Sequence, residues 1–185
     1  MADHVLALLD TPVLFPAALR DTLLRVARLY LFEPKWSAET LDDLARNLVR
    51  TGRMTEEAFD RLLASLLAFF PAATVVDYSG FQTIVTNHPK DRHVLAAAIA
   101  SKADVIVIPN LRDFGSDALS PYDIRAISPD DFLLELLDRN AEKVQTVIDL
   151  QWRELRRPPM SREQVLDSLA KVVPRFAQAM REHPT

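Results

Sequence analysis

Three acids occupy places from which carboxylates could meet. Asp10 closes the apolar run Val5-Leu6-Ala7-Leu8-Leu9. Asp113 follows the run Val105-Ile106-Val107-Ile108, with Asn110 between them. Asp91 lies between the two runs, in Lys90-Asp91-Arg92-His93 at the head of an alanine-rich stretch. Carboxylate oxygens are hard ligands that suit Mg²⁺ or Mn²⁺. Such an ion polarises a phosphoryl oxygen and turns bound water into hydroxide near neutral pH. Together the acids could therefore support metal-assisted phosphodiester hydrolysis.

Singly, each acid has a plainer explanation. Asp10 can start the turn at Thr11-Pro12. Asp91 in a first helical turn gains about 0.3–1 kcal/mol from the helix dipole with no function at all. Asp113 reads as a loop acid, with Phe114 anchoring the loop and Asn110 as a turn former. Glu39, Asp42 and Asp43 share a helix with Arg46 and Arg50, the pattern of a solvated face. Helical position alone does not choose among those three.

What raises the acids above these readings is the set of elements that must carry them. Short β-branched and leucine runs bounded by turn residues read as strands buried on both faces of a parallel sheet. Ligands of such sheets bind beyond the carboxyl ends of the strands. Strands are predicted over 5–9, 74–76, 104–108 and 124–127. Helices are predicted over about 16–30, from the Ser37 cap to Gly52, from the Thr55 cap to Phe70, and over 88–100. One long helix is predicted from Asp130 to about Leu155. A last helix opens with the Ser161/Gln164 capping box. Its stripe of Val165, Leu169, Val172, Val173, Phe176 and Met180 is expected to pack on the core, with a kink at Pro174. The alternation of strand and helix predicts an α/β fold, a three-layer α/β/α sandwich with a central parallel sheet, plus C-terminal helices.

Composition removes several other chemistries. The chain has 185 residues, 49% hydrophobic and 26% charged, which suits one globular domain with an extension. Three glycines leave no phosphate-binding glycine loop. Cysteine is absent, which excludes disulfides and thiolate sites. The net charge of −4 argues against general adhesion to nucleic acid but not against a nuclease rich in metal-binding acids. No secretory layout and no membrane-length apolar stretch is evident, so a cytoplasmic protein without a membrane partner is expected. His88 and His93 lack the spacing of a helical zinc pair, and His4 and His183 carry no pattern. Ser and His are too scattered for a triad.

Four blocks carry a resemblance: Leu8-Leu9-Asp10-Thr11, Trp36 to Leu44, Lys90 to Ala98, and Asn110-Leu111-Arg112-Asp113-Phe114. In order and spacing they resemble PIN-domain proteins over roughly residues 4 to 133, in the branch of VapC-type toxins with an added helical C-terminal region. The resemblance implies a PIN-like nuclease domain over 1–133 and a helical extension over 134–185. It implies an Mg²⁺- or Mn²⁺-dependent ribonuclease acting on RNA, a cognate antitoxin protein as partner, and a possible homodimer. Asp10, Asp91 and Asp113 match the family's metal-binding acids. Asp43 falls at the second family acid, usually Glu, and Glu39 one turn away is the alternative; Asn110 is the polar neighbour of Asp113. Two departures are expected to lower efficiency without changing the fold. Ile108-Pro109 replaces a strand-end Thr or Ser, and Asp43 is one methylene shorter than Glu.

A catalytically weak or inactive PIN-like binding module is the second expectation, motivated by Ile108 and Asp43. An aspartyl-phosphate enzyme ranks low. A dehalogenase-type phosphatase needs an acid where Pro12 stands, and a receiver needs an acid pair and a late Lys. Arg112 and the Arg153/Arg156/Arg157 cluster could touch RNA phosphates, although a solvated basic face is the stronger reading.

Overall fold

The computed structural model describes residues 5–156 and 158–182. His4, Arg157 and His183 lie outside the described residues. Strand β1 (Leu6–Leu9) leads into the single turn α1 (Thr11–Leu14) and helix α2 (Ala17–Arg28). Strand β2 (Glu33–Ser37) runs into α3 (Ala38–Arg50), followed by α4 (Glu56–Phe69), β3 (Thr74–Val75) and the short α5 (Ser79–Gln82). A 3-10 turn (Pro89–Asp91) opens α6 (Arg92–Ser101). Then come β4 (Val105–Val107), a 3-10 turn (Leu111–Asp113), α7 (Ser116–Leu119), a 3-10 turn (Ser120–Tyr122) and β5 (Arg125–Ile127). The tail holds α8 (Pro129–Arg139), α9 (Ala141–Glu154), α10 (Arg162–Ala170) and α11 (Pro174–Glu182).

The strands form one parallel sheet in the order β3-β2-β1-β4-β5. The order reverses at β1, so the crevice beyond its carboxyl end is the place where such sheets bind ligands. Side chains alternate across each strand. Ala7, Leu9, Trp36, Val105, Val107 and Ile127 face one core with α2, α3, α4 and the tail helices. Leu8, Val75, Ile106 and Ile108 face a second core with α6. This is the α/β/α sandwich with C-terminal helices that the sequence predicts. In α6, Ala96, Ala97 and Ala98 are fully buried, and their small side chains let the helix lie close against the sheet.

Strand β2 was not predicted. Glu33-Pro34-Lys35 looks like a loop, since proline lacks a ladder donor. Pro34 is tolerated because β3 pairs only with Trp36 and Ser37, so no β3 partner runs beside it. Trp36 then anchors the strand. It is fully buried, its Nε1 donates to Thr74 Oγ1 at 3.1 Å, and Phe70 packs edge-on at 6.0 Å. Truncating such a ring costs about 3–5 kcal/mol.

Three expectations for the tail are corrected. The single long helix from Asp130 is two helices, α8 and α9. Asn140 interrupts it with φ −159° and ψ 85°, and its side chain accepts from Lys143 N at 2.9 Å. That cap satisfies an amide the break leaves orphaned. Pro174 does not kink a helix; it opens α11, where a missing N–H costs nothing. Val172 is 39% exposed and leaves the buried stripe, because the turn between α10 and α11 rotates it outward. The remaining stripe residues are buried in the core. The break predicted at Thr11-Pro12 is itself the start of α1, capped by Asp10.

Candidate acidic active site

Asp10 stands at the carboxyl end of β1, beside the switch point. It is 7% exposed, and its Oδ1 accepts from Thr11 N at 2.7 Å, so it caps α1 as well as facing the crevice. Burial raises its pKa from the ordinary Asp value. Thr11 N–H and His93 pull it down, while the charges of Asp91 and Asp43 push it up. Asp91 ends the 3-10 turn before α6. Its pKa is also raised, by burial first and then by Asp113, against the opposing effects of His88, His93 and Lys90. His88 Nδ1 lies 3.9 Å from Asp91 Oδ2. Asp113 sits in the turn after β4, where Asn110 Nδ2 donates to its Oδ2 at 2.6 Å. Phe114 behind it is buried, as expected of a loop anchor.

The structure therefore brings the four predicted acids into one electrostatic neighbourhood, linked as Asp43 to Asp10, Asp10 to Asp91, and Asp91 to Asp113. Among the described residues, no group of three or more His, Asp or Glu side chains is set to hold a metal ion. The donor chemistry nevertheless fits a hard divalent cation. All four are carboxylates, and their mutual repulsion around a buried Asp10 is what a cation would offset.

The two candidates for the second acid differ in their surroundings. Asp43 is half-buried and pairs with the exposed Arg46, Oδ1 to Nη1 at 2.8 Å, yet its charge is felt at Asp10. Glu39 is exposed; its Oε2 lies 3.4 Å from His93 Nδ1, and its Oε1 accepts from Gln82 Nε2 at 3.4 Å.

His93 is the site neighbour that sequence reasoning undervalued. It acts electrostatically on both Asp10 and Asp91. Its Nδ1 is buried and, although near Glu39, makes no aligned hydrogen bond. Tyr78, 8% exposed, borders the same edge, with Ser37 and Glu39 as the polar neighbours of its hydroxyl; burial raises the pKa of that hydroxyl. Asn87 braces the turn by donating Nδ2 to the Asp91 carbonyl at 2.9 Å. A spacing of two between Asp91 and His93 suggests no shared helical face. The 3-10 turn ending at Asp91 and the first turn of α6, packed on the sheet, bring both within electrostatic range of Asp10. Ile108, where a hydroxyl was expected from the family pattern, is buried in the second core. Arg112, Arg153 and Arg156 are exposed, as a solvated basic face would be. No helix among the described residues is long and apolar enough to cross a membrane.

Comparison with known proteins adds two findings. Residues 129–182 match the family described as the VapC50 C-terminal domain. Over 104 residues the chain is 45% identical to a curated protein described as "Putative ribonuclease VapC50", from Mycobacterium tuberculosis (strain ATCC 25618 / H37Rv). That match covers 56% of this chain and 62% of the relative, so it spans less than two thirds of the relative's length. No solved structure matches. The tail is thus similar to the VapC50 C-terminal domain, and over 104 residues the chain is similar to a protein described as a putative VapC50 ribonuclease.

Proposed function

We propose that the protein is a divalent-metal-dependent endoribonuclease, the toxin of a toxin–antitoxin pair. The observation that carries the reading is the run of mutually repelling carboxylates at the sheet's switch point, with Asp10 buried at its centre. The ribonuclease description of the relative supports it. Asp10, Asp91 and Asp113 would hold Mg²⁺ or Mn²⁺, and Asp43 would complete the set or orient the attacking water. The bound ion would supply Lewis-acid stabilisation of charge on the phosphoryl group. Asn110 holds the Asp113 carboxylate in place through its amide. The Thr11 N–H anchors one oxygen of the Asp10 carboxylate. An RNA substrate and a cognate antitoxin protein are the partners this reading requires.

The test is cleavage of structured RNA by the purified chain with Mn²⁺ or Mg²⁺, compared with Asp10→Asn. A ligand substitution is expected to cost at least about a hundredfold in rate, since even groups that merely orient ligands cost 10–100-fold. Equal cleavage by both proteins would remove the site assignment. A second reading, a PIN-like module that binds without cutting, is favoured by the buried Ile108 and by the Asp43–Arg46 pair. A folded protein that takes up no Mn²⁺ in calorimetry would favour that reading.

A further inference from the structure

A cavity of about 820 Å³ lies between α2, α9 and α10, and none of the candidate site acids lines it. Its apolar lining includes Phe15, Leu62, Leu155, Met160 and Val172. Four cations and two acids also border it: Arg20, Arg25, Arg53 and Lys171, with Asp21 and Glu154. Both acids are committed to Arg25, at 2.9 and 2.8 Å. Arg20, Arg53 and Lys171 form no ion pair among the described residues.

Arg20 is the unusual member. It is 7% exposed, and its Nη1 donates to the Leu14 and Phe15 carbonyls at 2.6 and 3.2 Å. Those carbonyls satisfy a donor but do not neutralise the charge. Burying a cation is costly, and burial lowers the Arg20 pKa against the opposing pull of the Asp21 charge. Arg53 lies over the Phe15 ring, 5.0 Å from its centroid, and is exposed, as is Lys171. A net positive, apolar-walled cavity on a chain of charge −4 selects for an anion with an apolar body. The volume is within the usual range of small-molecule sites, roughly 300–1,000 Å³.

We infer that this cavity binds a small amphipathic carboxylate, its head toward Arg20, Arg53 and Lys171 and its chain along the Phe15, Leu155 and Met160 wall. The site is separate from the proposed nuclease centre, so binding and RNA cleavage can fail independently.

Calorimetric titration of the full chain in EDTA, with decanoate below its micelle concentration and with decanol as the uncharged control, tests it. Decanoate is expected to saturate at one equivalent and to bind at least roughly tenfold more tightly than decanol. The double variant R53E/K171E, altered only at exposed positions, is expected to lose roughly tenfold in decanoate affinity with unchanged circular dichroism. Arg20→Met should lose saturable binding. Where that variant fails to fold, R53E/K171E remains decisive. Equal affinity for decanol, unchanged affinity in R53E/K171E, or no saturable decanoate binding would overturn the inference; the last result is also the one expected of a cavity reserved for a protein segment.

Discussion

Asp10 holds two jobs that conflict. Its carboxylate caps α1, which favours folding, and it is buried among like charges, which opposes it. A carboxyl whose pKa is raised in the folded state binds its proton more tightly there than in the unfolded chain. Its contribution to stability therefore falls as pH rises from 3.8 through the raised value, and returns on acidification. Asp10→Asn keeps an acceptor for the Thr11 amide and removes the charge. In metal-free buffer the variant is expected to melt at a higher temperature than the parent at neutral pH. The difference should shrink as pH falls toward 3.8. A thermal series in EDTA checks this; a lower melting temperature at neutral pH would show that the cap matters more than the repulsion. The choice of second acid also belongs to this scale. Because Asp43 acts electrostatically on Asp10, whereas Glu39 lies against His93 and Gln82, Asp43→Asn should lose at least roughly tenfold in RNA cleavage, and Glu39→Gln less. The reverse order would give the role to Glu39.

At the scale of elements, caps decide where the helices begin. Ser37 accepts from Thr40 N at 3.0 Å, and the Ser161/Gln164 box is fully formed. Both are legible in the sequence because each cap lies next to its own helix. Asn140 was missed because the apolar positions on either side keep helical spacing across it. Asn140→Ala is expected to cost about 1 kcal/mol, within the usual range for cap removal. A urea midpoint at constant slope would show it. Helix α11 depends on a more distant group. Asp130, on α8, accepts from Arg175 N and Phe176 N at 3.1 and 2.7 Å. No local pattern could announce a cap supplied from 45 residues away.

For the whole molecule, the tail completes the main core. Phe132, Leu133, Val144, Ile148, Leu166 and Phe176 belong to the same buried cluster as Ala7, Leu9, Trp36 and Val107. Thr22 Oγ1 donates to Gln151 Oε1 at 2.8 Å, and Gln151 Nε2 donates to the Ala18 carbonyl at 3.1 Å, so buried polar bonds also tie α9 to α2. A chain ending at Ser128 would expose the apolar face of α2 and the sheet. It is expected to bind hydrophobic dye strongly and lose cooperative unfolding. A sharp thermal transition in that truncated chain would show that the tail is dispensable for folding.

Much of this was legible from residue order alone. Apolar runs, their β-branched content and their flanking turns are local, so β1, β4, β5 and the acids that leave β1 and β4 could be placed without coordinates. Opposite core faces followed from the alternation of Ala7 and Leu9 with Leu8, a two-residue period written in the chain. Tertiary structure decided the rest, because it depends on groups far apart in sequence. Pro34 is acceptable in β2 only because β3 is too short to pair beside it. His93 reaches Asp10 only because α6 packs against the sheet. The elevated pKa of Asp10 needs the burial and the neighbouring charges together, and neither exists until the strands are in register.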